Sequence, residues 1–289
     1  PGAINDPNGV MRVADTTFAP GRGFYQSPRS VTITTTTPGA TIWFTTDGQP
    51  PVDDAGSPTP TASPYSAPIP VTTTTVLRAA ATLDGLQATH ISTHTYLLLD
   101  IDSANPDGSD PAGINTPLLE QVQPAGWGNL ASGDFNMDPA IGKSTDPSPG
   151  HDGLTVAQAM LRGMRDIPAL SIAIDRDDFS GPNGVYSNPL AEDPTEDTLV
   201  WERACSAEFL PAAGDARVSW QENCGLRVQG GASRNPNSAP KHSLSLRFRD
   251  LYGAGKLRTK PFPESTADSF DSIALDRKST RLNSSHRIR

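Results

Sequence analysis

The stretch from Trp201 to Leu257 constrains the fold more than any other part of the chain. Apolar and polar residues alternate at Leu226 and Val228, and again at Leu244, Leu246 and Phe248. A period of two is that of a half-buried strand. Gly214-Asp215 lies between residues 201–210 and the segment that opens at Trp220, and a glycine at the first central position of a two-residue loop supplies the positive φ of a primed turn. A hairpin centred there predicts an antiparallel sheet of three strands and places Cys205 opposite Cys224, the only two cysteines of the chain. Two facing cysteines are within reach of a disulfide when they occupy a non-hydrogen-bonded pair. Two buried thiols filling a core are the alternative.

Length and composition bound the rest. The 289 residues leave room for two domains, and a net charge of −9 without a basic stripe before the final dozen residues argues against nucleic-acid binding. Charged residues are only 19%, Pro (28) and Gly (25) are plentiful, and threonine is frequent in the first hundred positions. That balance suits an exported chain of short strands and ordered loops, placed outside the cell or on its surface. No run of 18 apolar residues is present, so no helical membrane span is expected. The sequence begins at Pro1 without a signal peptide, and the expectation is a fragment open at both ends.

Residues 1–17 are polar and turn-rich, with Asn8-Gly9 as a turn signal, and read as a linker or the tail of a preceding domain. From 18 to 99 short strands follow one another. Val31 and Ile33 alternate with threonines, Ile42 and Phe44 precede the Asp47-Gly48 turn, Leu77, Ala79 and Ala81 line a third strand, and 91–99 a fourth. This spacing predicts a small antiparallel β-sandwich with threonines on its wet face. Phe18 to Tyr25, Pro38-Gly39-Ala40-Thr41-Ile42, Thr45 to Pro51 and Thr74 to Ala79 resemble, in order, the immunoglobulin-like domain at the C-terminus of chitobiases and β-hexosaminidases. The resemblance implies a non-catalytic module. Trp43 and Tyr65 are its candidates for stacking on a sugar ring, with core or rim packing as the alternative.

Residues 100–150 read as a linker rich in Pro, Gly and Asp. Asp100, Asp102, Asp107 and Asp110 fail the calcium-loop spacing at Ala104, and Leu118, Leu119 and Trp127 are expected to pack on the domain that follows. Asp152 is the expected cap of a helix carrying Leu154, Ala157, Leu161 and Met164, ended by Pro168. Residues 169–175 alternate as a strand, Asp175, Asp177 and Asp178 fit a helix-opening turn better than a metal site, and a hairpin-like loop is expected around Val185 and Tyr186. His90 and His94 are expected on one face of a strand, without a third zinc ligand.

The ordered motifs Ile167-Pro168-Ala169-Leu170-Ser171-Ile172, Gly184 to Pro189, Trp201-Glu202-Arg203, Gly225 to Arg234, Pro240-Lys241-His242-Ser243, Tyr252-Gly253 and Lys256-Leu257 resemble the front half of the CotH family of spore-coat-type protein kinases, with upstream matches from about residue 115. The resemblance, covering 115–275, implies a bacterial exported or surface protein with a partial kinase-like domain at 151–275. In the intact parent it implies ATP, a divalent metal such as magnesium, and phosphorylation of Ser or Thr in a secreted or surface protein. Lys241 and Arg234 are the candidate phosphate-neutralising cations, and Gly230-Gly231 would let backbone amides approach a phosphate. No catalytic carboxylate or metal ligand is assigned, since the family's aspartates lie beyond Leu275. Residues 276–286 resemble one reading frame of a sequencing adapter, so 276–289 are set aside as foreign and this chain is expected to be inactive alone. The overall expectation is a mostly β chain: an immunoglobulin-like sandwich followed by a truncated kinase-like N-lobe with an antiparallel sheet. The rival reading is a non-enzymatic surface or carbohydrate-interaction protein in which that lobe is a scaffold.

Overall fold

The computed structural model describes residues 3–5, 11–98, 146–150, 153–191, 199–236, 242–259, 261 and 265–276. The fold is mostly β, as expected. A short ribbon of β1 (Ala3–Asn5) and β2 (Met11–Val13) precedes the sandwich. One sandwich sheet has the order β3-β5-β8 (Thr17–Ala19, Arg29–Thr34, Ile69–Val71). The other has the order β4-β10-β9-β6-β7 (Gly23–Tyr25, Ser92–Leu98, Thr75–Thr82, Thr41–Thr45, Ser63–Pro64). In β5, Val31 and Ile33 are buried while Ser30, Thr32 and Thr34 face solvent, which is the alternation read from sequence. Val31, Ile33, Ile42, Leu77, Ala79, Ala81, Tyr96 and Leu98 close the core between the two sheets.

The second unit is an antiparallel meander of β11 (Ala169–Ile174), β12 (Arg203–Leu210), β13 (Trp220–Gln229), β14 (Ser243–Arg247) and β15 (Ser272–Leu275). Cys205 pairs with Cys224, the register predicted from the hairpin centre. The turn itself differs. The strands are joined by residues 211–219, and Gly214 (φ +80°) is the third residue of a turn closed by Asp215 N–H donating to Ala212 O at 3.0 Å. Because this longer connection is centred on the same point, the register survives the change of loop.

Helix α1 (Val156–Asp166) starts from Thr155 rather than Asp152. The Thr155 hydroxyl accepts from Gln158 N–H and the Gln158 side chain accepts from Thr155 N–H, a reciprocal capping box that satisfies two orphan donors. The second unit already begins before the helix, since Val156 N–H donates to Asp146 O and Pro147 bridges to Thr155. Asp152, most of the expected linker, and the expected anchors Leu118, Leu119 and Trp127 lie outside the described residues.

One face of the meander is apolar. Cys205, Ala207, Cys224, Leu226, Leu246 and Ile273 are covered by Phe248, Leu257, Phe270 and Val185, with Phe179 of the short helix α2 (Arg176–Ser180) packed alongside. The 181–188 segment is no hairpin. It folds back on α2, with Val185 N–H donating to Asp178 O and Tyr186 N–H to Phe179 O.

The opposite face, bearing Ser171, Ser206, Glu208 and Asn223, is also covered. It lies against β9 and β10 of the sandwich, so β9 and β12 are buried on both sides. Three sheets therefore stack in sequence. A cavity of about 200 Å³ opens at the edge of this junction, between Gly48 and Val76 on one side and Ile172, Ile174 and Phe179 on the other.

Candidate functional site

The glycine pair follows β13 and leads into a single 3-10 turn, Ala232–Arg234. Gly230 has φ +126°, a conformation that side chains rarely adopt, and a Cβ there would lie 2.3 Å from Ser233 Oγ. Gly231 has φ −104° with open space around it, so only the first glycine is required by the backbone. Arg234 N–H donates to Gly231 O at 3.0 Å, and its guanidinium Nη1 donates to Ala191 O at 3.2 Å. The structure thus brings Gly230, Gly231 and Arg234 into one turn at the end of the sheet, beside the 184–191 segment. Lys241 lies outside the described residues. His242, its neighbour, is buried, and its backbone N–H donates to Tyr186 Oη at 3.2 Å.

At the same end of the sheet is a buried carboxylate, Glu202, that belongs to none of the candidate sites. Glu202, 3% exposed, receives Arg249 Nε at 2.8 Å and has Arg227 Nη1 at 3.8 Å. Gly225 makes room for it, because a Cβ there would stand 2.5 Å from Glu202 Oε1. Burial, followed by the Glu202 charge, pushes the Tyr252 phenol up. The sequence signal for Glu202 is a Glu just before a strand rich in apolar residues.

Asp175 caps α2 by accepting from Asp177 N–H at 2.8 Å, and Asp178 pairs with Arg203 at 3.2 Å. The acidic triplet is thus the opening of a helix, and among the described residues no three His, Cys, Asp or Glu side chains converge for a metal. The histidines do not share a strand face. His90 precedes β10 and is half exposed, 3.9 Å from Asp15. His94 is stacked on Phe18 at 4.0 Å and meets Arg22 at 3.0 Å, and burial together with the Arg22 charge pushes it down to about 3, leaving it neutral. Cys205 and Cys224 are buried thiols with Sγ atoms 3.5 Å apart.

On the sandwich, the two candidate aromatics part company. Tyr65 packs edge-on against Phe44 at the core margin. Trp43 lines an open groove of about 1030 Å³ with Arg12, Asp53, Asp54, Asp84 and Gln87, its indole N–H donating to Thr82 Oγ1 at 3.0 Å. Residues 20–93 match the family model of the chitobiase/beta-hexosaminidase C-terminal domain. The match spans β4 to the start of β10 and agrees with the resemblance carried by the Phe18–Ala79 motifs. No curated protein and no solved structure matches the chain. A chitobiase-type sandwich with an open, partly aromatic groove is compatible with carbohydrate contact.

Proposed function

We propose that residues 151–275 carry the nucleotide-facing sheet of an ATP-dependent protein kinase of the spore-coat type, in an exported or surface protein that phosphorylates Ser or Thr. The observation that supports this reading is the β13–β14 connection. A glycine whose conformation leaves room only for hydrogen is followed within one turn by Arg234, and Lys241 stands two residues before β14. Free of a Cβ, the turn can press its backbone amides against a phosphate while the two cations neutralise the charge on its non-bridging oxygens. ATP is the ligand that this reading implies. A divalent metal finds no converging ligand set among the described residues, so its ligands would come from elsewhere in the parent. On this reading the chain binds nucleotide and does not transfer phosphate by itself.

Binding of a fluorescent ATP analogue to the complete 289-residue chain tests the reading. Lys241→Ala is expected to weaken binding about tenfold or more, the loss of one charge-assisted contact. Unchanged binding in that variant, or none by the unaltered chain, overturns it.

The rival, a non-enzymatic surface protein that contacts carbohydrate, is favoured by the Trp43 groove. Retention of the chain on a neutral polysaccharide, lost on Trp43→Ala, would support it.

A further inference from the structure

The junction between the sandwich and the meander is held by polar groups. Glu208 of β12 is 0% exposed. Thr95 of β10 donates to it twice, backbone N–H to Oε1 at 3.1 Å and hydroxyl to Oε2 at 2.5 Å. Arg22, from the β3–β4 connection, places Nε 3.0 Å from Oε1, as an ion pair rather than an aligned hydrogen bond. The Thr95 hydroxyl is also 2.7 Å from Ser171 Oγ of β11. A second tie runs from Asn223 Nδ2 of β13 to Ile91 O at 3.1 Å. Arg22 is itself positioned by Thr93 O and His94 Nε2. Thr95 and Arg22, from two separate segments of the sandwich, thus hold one carboxyl of the meander, with Ser171 joined to it through Thr95, and stripping its partners away would leave either a buried charge or a buried unsatisfied acid.

We propose that Glu208 is the latch of a sandwich–sheet joint, the side chain through which the meander captures β10 and the Arg22 loop and fixes the accessory domain flat against its polar face. The joint does not depend on whether the sheet binds nucleotide. Its strength follows the protonation of Glu208. Burial pushes this carboxyl from 4.5 up to about 7, against the opposing pull of the Thr95 hydrogen bonds and the Arg22 and Arg78 charges. The facing ionisable groups are Arg22, Arg78 of β9, Tyr96 of β10 and, through Arg22, the neutral His94.

Undocked, the carboxyl releases its proton near 4.5; docked, it keeps the proton to about 7. The docked state binds more protons over that window. Docking is therefore tightest below 4.5, weakens as pH rises towards about 7, and is level above it. Docking is expected to weaken by at least about tenfold across that window.

Hydrogen exchange of the Thr95 amide, the group that donates to Oε1, reads the joint in the complete chain. After correction for intrinsic exchange, protection at Thr95 is expected to fall across that window while amides of β14 hold theirs. Glu208→Gln keeps a carbonyl acceptor but cannot ionise, and it is expected to flatten the Thr95 profile. Asp178 and Glu222 also have raised values, so the difference between the two proteins isolates Glu208. Should the variant fail to fold, the unaltered chain still decides. A flat Thr95 profile, or a decline shared equally by β14, overturns the latch.

Discussion

Bridging Cys205 and Cys224 is the perturbation whose size follows most directly from the structure. The two residues face each other across β12 and β13, their sulfurs 3.5 Å apart, and they are 19 positions apart in sequence. A cross-link over a loop of that length removes enough freedom from the unfolded chain to add about 3 kcal/mol of stability. The folded thiols are poor nucleophiles. The hydrogen bond with Cys205 and then burial push the Cys224 thiol up, and the thiolate is the reactive form. The bridge is therefore expected to form while the chain folds, not afterwards. Refolding in an oxidised/reduced glutathione mixture should yield a protein lighter by two hydrogens and resistant to alkylation. Adding the same mixture to folded, reduced protein should leave both thiols free for far longer. In urea the bridged form should unfold about 1–2 M later than the thiol form. Two free thiols after oxidative refolding, or coincident urea transitions for the two forms, would refute the reasoning.

Two further substitutions probe the meander and its flank. Glu202→Gln removes the charge facing Arg249 and Arg227 in a buried setting and should cost about 3 kcal/mol in chemical denaturation, with Arg249→Met in the same background recovering part of it. Thr155→Ala deletes the capping box and should cost about 1 kcal/mol, read as faster hydrogen exchange at the Gln158 amide with β12 and β13 unaffected.

The register of the meander was legible because strand pairing depends on the period-two pattern and on where the hairpin is centred, and both are local. The turn residues were not, since Gly214 supplies positive φ equally well as the third residue of the 212–215 turn. The true helix cap was also written in the sequence, as Thr155 followed three positions later by Gln158. Asp152 is merely the nearer acidic residue to the expected start. In the sandwich, the threonine alternation of β5 marked the wet face correctly. On β9 the same logic fails, because Arg78 and Ala80 occupy positions that would face water in an isolated sandwich and are instead covered by the meander. Glu208 is hidden from sequence reading for the same reason: its partners Arg22 and Thr95 lie more than a hundred residues away, and no local pattern records them.

The chemistry of this junction bears on what the accessory domain is for. Had the two sheets met through leucine and isoleucine, many relative orientations would bury similar area, since apolar contact is non-directional. A contact made by Thr95, Ser171, Glu208, Asn223 and Arg22 forms its hydrogen bonds and ion pair in one arrangement only. The small side chains on the facing surfaces, Ala80 of β9, Ala173 of β11 and Ser206 of β12, let the sheets approach closely enough for those bonds to form. A module joined by a flexible linker has no need of such precision. The sandwich is packed on the meander as a third layer, so the Trp43 groove keeps one orientation relative to the Gly230 turn. Over the interval in which Glu208 loses its proton, a rise in pH is expected to loosen that orientation while both cores stay folded, which the Thr95 and β14 amides would report.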